Sequence, residues 1–133
     1  AAGTGVGVGV GVGAEDESWA EVVLEEGAWR ADTDAHFLGP IPHDWLFQRV
    51  AAVVHHGGAG TTAAGLRFGC PTWICPFFGD QHFWGEMVAR KNLGPVPCAV
   101  QSLTLARVVA GLRELRSVGE SGNAVSVARA MRG

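Results

Sequence analysis

Residues Val53–Gly94 read VVHHGGAGTTAAGLRFGCPTWICPFFGDQHFWGEMVARKNLG, and the order of residue types along them decides the fold. The short apolar run Ala51–Val54 predicts a strand that meets two histidines and a glycine-rich turn, Gly57, Gly58 and Gly60. A helix-favouring segment, Thr61–Phe68, follows at once. Glycines at such a strand-to-helix corner let the backbone approach a ligand closely, and the first N–H groups of the new helix present partial positive charge. A phosphate suits that corner.

Working outward, Gly69 stops the helix and Thr72-Trp73-Ile74-Cys75 predicts a second strand, ended by Pro76. The loop Phe77–Gly79 delivers Asp80 and Gln81 to a further helix, Asp80–Lys91. Strands alternating with helices imply an α/β domain with a Rossmann-like parallel sheet and flanking helices. Ligands of such sheets sit outside the carboxyl ends of the strands, so the histidine and glycine corner and the Asp80-Gln81 pair are expected to share one pocket. Gly58, Gly60, Thr61 and Thr62 would form a phosphate cradle from close backbone approach, N–H groups and a hydroxyl donor. No lysine follows the glycines as in an ATP-binding phosphate loop.

His56-Gly57-Gly58-Ala59-Gly60-Thr61-Thr62, followed by Pro76-Phe77-Phe78-Gly79-Asp80-Gln81, resembles the nucleotide-sugar signature of UDP-glycosyltransferases with the GT-B fold. With Pro42-His43-Asp44-Trp45-Leu46-Phe47 added, the wording most resembles the sterol 3-beta-glucosyltransferase branch. The resemblance runs from about His36 to Leu115. It implies part of the C-terminal, donor-binding domain of an enzyme that transfers glucose from UDP-glucose to a sterol or related lipid hydroxyl. The implied chemistry inverts the anomeric centre and needs no metal or other cofactor beyond the donor substrate.

The resemblance also assigns residues. His56 would hydrogen-bond the diphosphate, and Asp80 and Gln81 would hold hexose hydroxyls. Ile41 would read the uracil edge through its backbone, and His43 stands where a glutamine is usual. Pro40 replaces the tryptophan that stacks on the base in plant relatives, and Ala64 stands where many relatives carry a ribose-binding glutamate, which leaves ribose recognition unassigned. The catalytic base and acceptor cleft would belong to an N-terminal domain, so no catalytic residue is expected here, and the 133 residues should catalyse nothing alone. Two other readings stay open: an inactive nucleotide-sugar-binding module, and transfer to another small-molecule alcohol.

Composition bounds the remainder. With 47% hydrophobic and 17% charged residues, the chain has the balance of a globular core. A net charge of −3 gives no general pull toward nucleic acid. There is no apolar run long enough for a membrane span, and a cytoplasmic protein, with peripheral membrane contact open to a full-length form, is expected. The chain begins with Ala1 and reads as a fragment. Cys70, Cys75 and Cys98 lack metal-site spacing and are expected to be small buried residues.

Residues 1–14, rich in alternating glycine and valine, are expected to form a flexible segment. Residues 15–117 would be the nucleotide-sugar-binding domain and residues 118–133 a C-terminal tail. Within the domain, Glu15–Glu26 predicts a surface helix, Ala35–Leu38 a strand, and Trp45–Arg49 a short helix capped by Asp44, with Trp45 and Phe47 in the core. Trp73 is also expected in the core. Cys98–Val100 predicts a last strand. Thr104 caps a helix with its apolar seam at Leu105, Val108, Val109, Leu112 and Leu115, and Ser117–Gly122 is expected to break it. Asn123–Met131 predicts a terminal helix of little packing value.

Overall fold

Alternating side chains on two adjacent strands divide the interior into two faces, each closed by helices. The computed structural model describes residues 41–133 together with the strand Val8–Val10. The expected helix Glu15–Glu26, strand Ala35–Leu38 and Pro40 lie outside the described residues. Strands β1 (Val8–Val10), β2 (Ala52–His55) and β3 (Thr72–Ile74) form a parallel sheet in that spatial order. In its register Gly9 pairs with Val53, and His55 pairs with Ile74. Within the expected flexible segment 1–14, Val8–Val10 add a strand to the edge of β2, where backbone pairing offsets the entropic cost of glycine, and the segment's other residues lie outside the described ones.

On one face, Val53 and Thr72 meet helix α2 (Ala59–Arg67) at Gly65, and Ile74 packs with Leu66, Val88, Leu93 and Ala124. On the other, Ala52, Trp73 and Cys75 pack against Leu115. The β2–α2–β3 unit is the crossover that parallel strands require. Helix α1 (His43–Leu46) precedes it, and Phe47 just after α1 enters a small cluster with Val53 and Cys70. Helix α1 starts two residues before the predicted Trp45. Asp44 is a member of it, with its carboxylate accepting the Trp45 N–H at 2.9 Å. Trp45 is not in the core: it is half-exposed, with the Arg49 guanidinium 4.2 Å from its ring centroid.

After β3 comes α3 (Gln81–Arg90), and then residues 93–100 return beside β3. Thr72 donates to the Leu93 carbonyl, Cys98 to that of Ile74 and Val100 to that of Pro76. Pro95 and Pro97 have no N–H to contribute, so the ladder is interrupted. The predicted strand Cys98–Val100 is therefore absent, and a 3-10 turn, Val100–Ser102, leads out instead.

Helix α4 (Leu105–Ser121) begins as expected, with the Thr104 hydroxyl accepting the Arg107 N–H. It runs through the expected break at 117–122 and ends at Gly122, whose φ of 76° suits a helix terminus. Its contact seam is Val108, Gly111, Leu112 and Leu115, whereas Leu105 is 81% exposed. Helix α5 (Asn123–Arg132) forms where a terminal helix was expected, but not with the little packing value expected of it. Ala124 and Ala128 are buried, and Ala128 and Val125 lie against Gly69 at the end of α2. Small residues four apart let two helices approach closely, a packing that hydrophobicity alone underrates.

A comparable approach holds α4 to the sheet. A Cβ at Gly111 would overlap the Trp73 indole, which is itself fixed by a 3.1 Å hydrogen bond from Nε1 to the Val96 carbonyl. Gly111→Ala should therefore destabilise the domain by about 1–3 kcal/mol, as overpacking does. Urea denaturation followed by tryptophan fluorescence measures this, and an unchanged midpoint would contradict the packing of α4 on Trp73.

Candidate functional site

The carboxyl end of β2 turns through Gly57 at φ +97°, a conformation that side chains rarely adopt. A Cβ there would lie 2.6 Å from Ile74 Cγ2, 3.1 Å from the Gln81 carbonyl oxygen and 3.3 Å from Gln81 Cα. Gly57 is thus wedged between β3 and the first turn of α3. Gly58 follows at the N-cap of α2, with no side-chain capping bond and no acidic residue in the first turn. The Ala59, Gly60 and Thr61 N–H groups precede the first intrahelical bond, from the Thr62 N–H to the Gly58 carbonyl, and are left for an external acceptor. Ala59 and Gly60 are exposed, and a Cβ at Gly60 would meet nothing within 4 Å.

His56 leans over this helix start. A Cβ at Gly58 would stand 3.1 Å from its Nε2, and its ring centroid is 6.5 Å from that of Phe77 in the next strand-end loop. It is half-buried and makes no side-chain hydrogen bond among the described residues. An imidazole held beside unpaired helix N–H groups can donate to an anion at the same point.

The two threonines divide. Thr61 is half-buried at the rim, whereas Thr62 is 1% exposed and its hydroxyl donates to the Gly58 carbonyl at 2.8 Å. Of the two threonines expected in the phosphate cradle, Thr62 thus spends its hydroxyl proton on the corner itself, which leaves the Thr61 hydroxyl at the rim. Ala64 packs against the Phe47, Val53 and Cys70 cluster.

Asp80 and Gln81 arrive on the other side of Gly57. Asp80 occupies the N-cap position of α3 without a capping side-chain bond. One carboxylate oxygen accepts the Trp84 indole N–H at 3.2 Å, and the side chain is exposed. Gln81 Oε1 accepts the Phe77 and Phe78 N–H groups at 2.8 and 3.1 Å, so its carbonyl shapes the loop while its amide N–H groups remain for a ligand. Exposed Phe78 and Phe83 lie around this start of α3.

Ile41, half-buried, and His43 lie before and at the start of α1. The His43 ring stacks on Phe47 with centroids 4.9 Å apart. His55 is 5% exposed. Burial, with charge from His56 and then His43, lowers its pKa to about 4. Burial raises the thiols of Cys70 and Cys75 to about 11 and about 12, which keeps them protonated and unreactive. Among the described residues no group of three or more histidine, cysteine or acidic residues is placed to hold a metal.

The structure therefore brings His56, Gly58, Gly60 and Thr61 together with Asp80 and Gln81 at one sheet edge. Sequence reasoning gave Gly57 no role beyond the turn, although the doubled glycine after a strand end was its signal, and it placed His55 on the face opposite His56 without naming what it does. Elsewhere among the described residues lie a groove of about 460 Å³ lined by Trp73, Pro95–Ala99 and Arg107, and another of about 590 Å³ along the outer face of α3 at His82, Met87 and Lys91. Neither includes the corner.

Comparison with known proteins joins these observations. Residues 33–126 match the family model of the erythromycin biosynthesis protein CIII-like C-terminal domain. A sterol 3-beta-glucosyltransferase from Arabidopsis thaliana is 48% identical over 97 residues, 73% of this chain and 15% of that protein. A second from the same plant is 57% identical over 72 residues, 54% of this chain and 12% of that protein. The chain thus spans less than a sixth of these relatives. The glycosyltransferase VinC, solved in complex with dTDP, superposes with a TM-score of 0.66 at 29% identity, over 83% of this chain and 27% of that one. With more than half of its residues within the family model, the chain belongs to the erythromycin biosynthesis protein CIII-like family, matching its C-terminal domain, and it has the fold of part of the C-terminal domain of GT-B glycosyltransferases.

Proposed function

We propose that the full-length protein transfers glucose from UDP-glucose to a sterol or related lipid hydroxyl, with this chain holding the donor. One observation carries the reading: Gly57 sets the start of α2, with His56 over it, directly against the start of α3 with Asp80 and Gln81. A diphosphate on the first helix start leaves an attached hexose beside the second. As the glycosidic bond to UDP breaks, negative charge grows on the diphosphate, and the α2 N–H groups and His56 stabilise it. Asp80 accepts from hexose hydroxyls and the Gln81 amide donates to them. Ile41 and His43 are proposed for the uracil side, where His43 is already anchored on Phe47.

The acceptor's base belongs to residues beyond this chain in the same reading. His82 is exposed on α3 and donates no orienting bond to an acid among the described residues, so it lacks the arrangement of a general base. The names of the Arabidopsis relatives support the sterol acceptor. A cytoplasmic protein that visits a membrane peripherally fits a lipid acceptor, and no helix among the described residues is long and apolar enough to cross one.

Calorimetric titration with UDP tests the donor assignment. His56→Ala should weaken UDP by about 1–3 kcal/mol, the loss expected for a hydrogen bond to a charged group. Unchanged affinity would sink the assignment.

The two sugar-side residues should separate by ligand. Asp80→Asn is expected to weaken UDP-glucose several-fold and leave UDP nearly unaffected, because its carboxylate caps nothing. Gln81→Ala should weaken both, because it also frees the Phe77–Phe78 loop. Equal losses of UDP and UDP-glucose in Asp80→Asn would show that Asp80 acts through helix α3 instead.

A further inference from the structure

We propose that His55 is the positioning residue of the nucleotide corner: as a neutral imidazole with its proton on Nε2, it accepts the Gly57 N–H and fixes the turn on which both His56 and Gln81 depend. The bond runs from the Gly57 N–H to His55 Nδ1 at 3.0 Å and is buried. An imidazole nitrogen that accepts cannot carry a proton, so the proton resides on Nε2. That nitrogen is buried and has no hydrogen-bond partner among the described residues.

An apolar side chain would fill the same space without stranding a donor. Among the described residues, the penalty of the unpartnered Nε2–H is offset by what Nδ1 does. What it does is local and specific. Gly57 sits at φ +97° with neighbours on both sides that exclude any Cβ. Glycine adopts that conformation without strain but also has the widest choice of others, so a buried bond to its N–H is what fixes this one. Once Gly57 is held, Gly58 and the His56 ring are set on one side and Gln81 on the other.

The titratable groups facing His55 are His56 beside it and His43 on α1, and with burial they keep the ring neutral. Neutrality is the state the Nδ1 bond requires. The pair of histidines then has divided roles: the one at the rim meets the anion, and the buried one stays uncharged and holds the turn.

The test uses the 133-residue chain, wild type and the variants His55→Asn and His55→Gln. Asparagine places its amide oxygen near the Nδ1 position, whereas glutamine reaches toward Nε2. Long-range ¹H–¹⁵N spectra should show the Nε2–H tautomer in the wild type, still neutral at acidic pH where exposed histidines have titrated. Exchange protection of the Gly57 amide should persist in His55→Asn and be lost in His55→Gln. The effect on UDP rests on the proposed function: affinity should stay within about twofold in His55→Asn and fall about tenfold in His55→Gln, the scale of one buried hydrogen bond. An Nδ1–H tautomer or an imidazolium in the wild type, or equal behaviour of the two variants, would overturn the role. If the wild-type chain binds no UDP, the nucleotide-sugar reading falls, and the tautomer with the Gly57 exchange rates still upholds or overturns this one.

Discussion

The missing side chain of Gly57 is the constraint from which the corner between β2, β3 and α3 follows. A single methyl group there would strike Ile74 and the backbone of Gln81, forcing β2 and α3 apart. With glycine in place, two helix starts that belong to successive β-strand units stand side by side. Each strand of a parallel sheet delivers its loop to the same edge, but the sheet alone does not bring those loops into contact. Gly57 closes that last distance.

Division of labour among similar residues is the second feature. Two adjacent histidines and two adjacent threonines alternate between the interior and the rim. His55 and Thr62 each commit a side-chain atom to the corner, on the Gly57 N–H and the Gly58 carbonyl respectively, while His56 and Thr61 remain at the rim. The same division recurs across the corner, where the Gln81 carbonyl builds the Phe77–Phe78 loop and Asp80 leaves its carboxylate largely uncommitted. A binding surface of backbone N–H groups needs such internal bracing, since donors serve an anion only if their directions are fixed before it arrives.

Much of this was legible in the sequence. Strands β2 and β3 and helices α2 and α3 lie within one or two residues of their predicted bounds, because Gly57, Gly69 and Pro76 punctuate them. The His56 to Gln81 wording carried the family. Other parts resisted for physical reasons. Gly111 and the alanines of α5 stabilise by being small, and hydrophobic periodicity does not register a helix that packs through absence of side chain. Pro95 and Pro97 broke a strand that residue preference alone suggested. Which of two neighbouring hydroxyls or imidazoles faces inward depends on strand and helix phase at the corner, and a one-residue difference in boundary reverses it. Trp45 shows the converse error, an aromatic expected inside that instead stacks with Arg49 in the open.

The central claim is that one ligand spans both helix starts. Amide chemical-shift mapping of the ¹⁵N-labelled chain during titration with UDP-glucose tests it most directly. The account predicts concerted shifts at Gly57–Thr61 and at Asp80–Gln81, with the groove at Trp73 and Arg107 silent. Shifts confined to that groove, or to only one of the two helix starts, would contradict it.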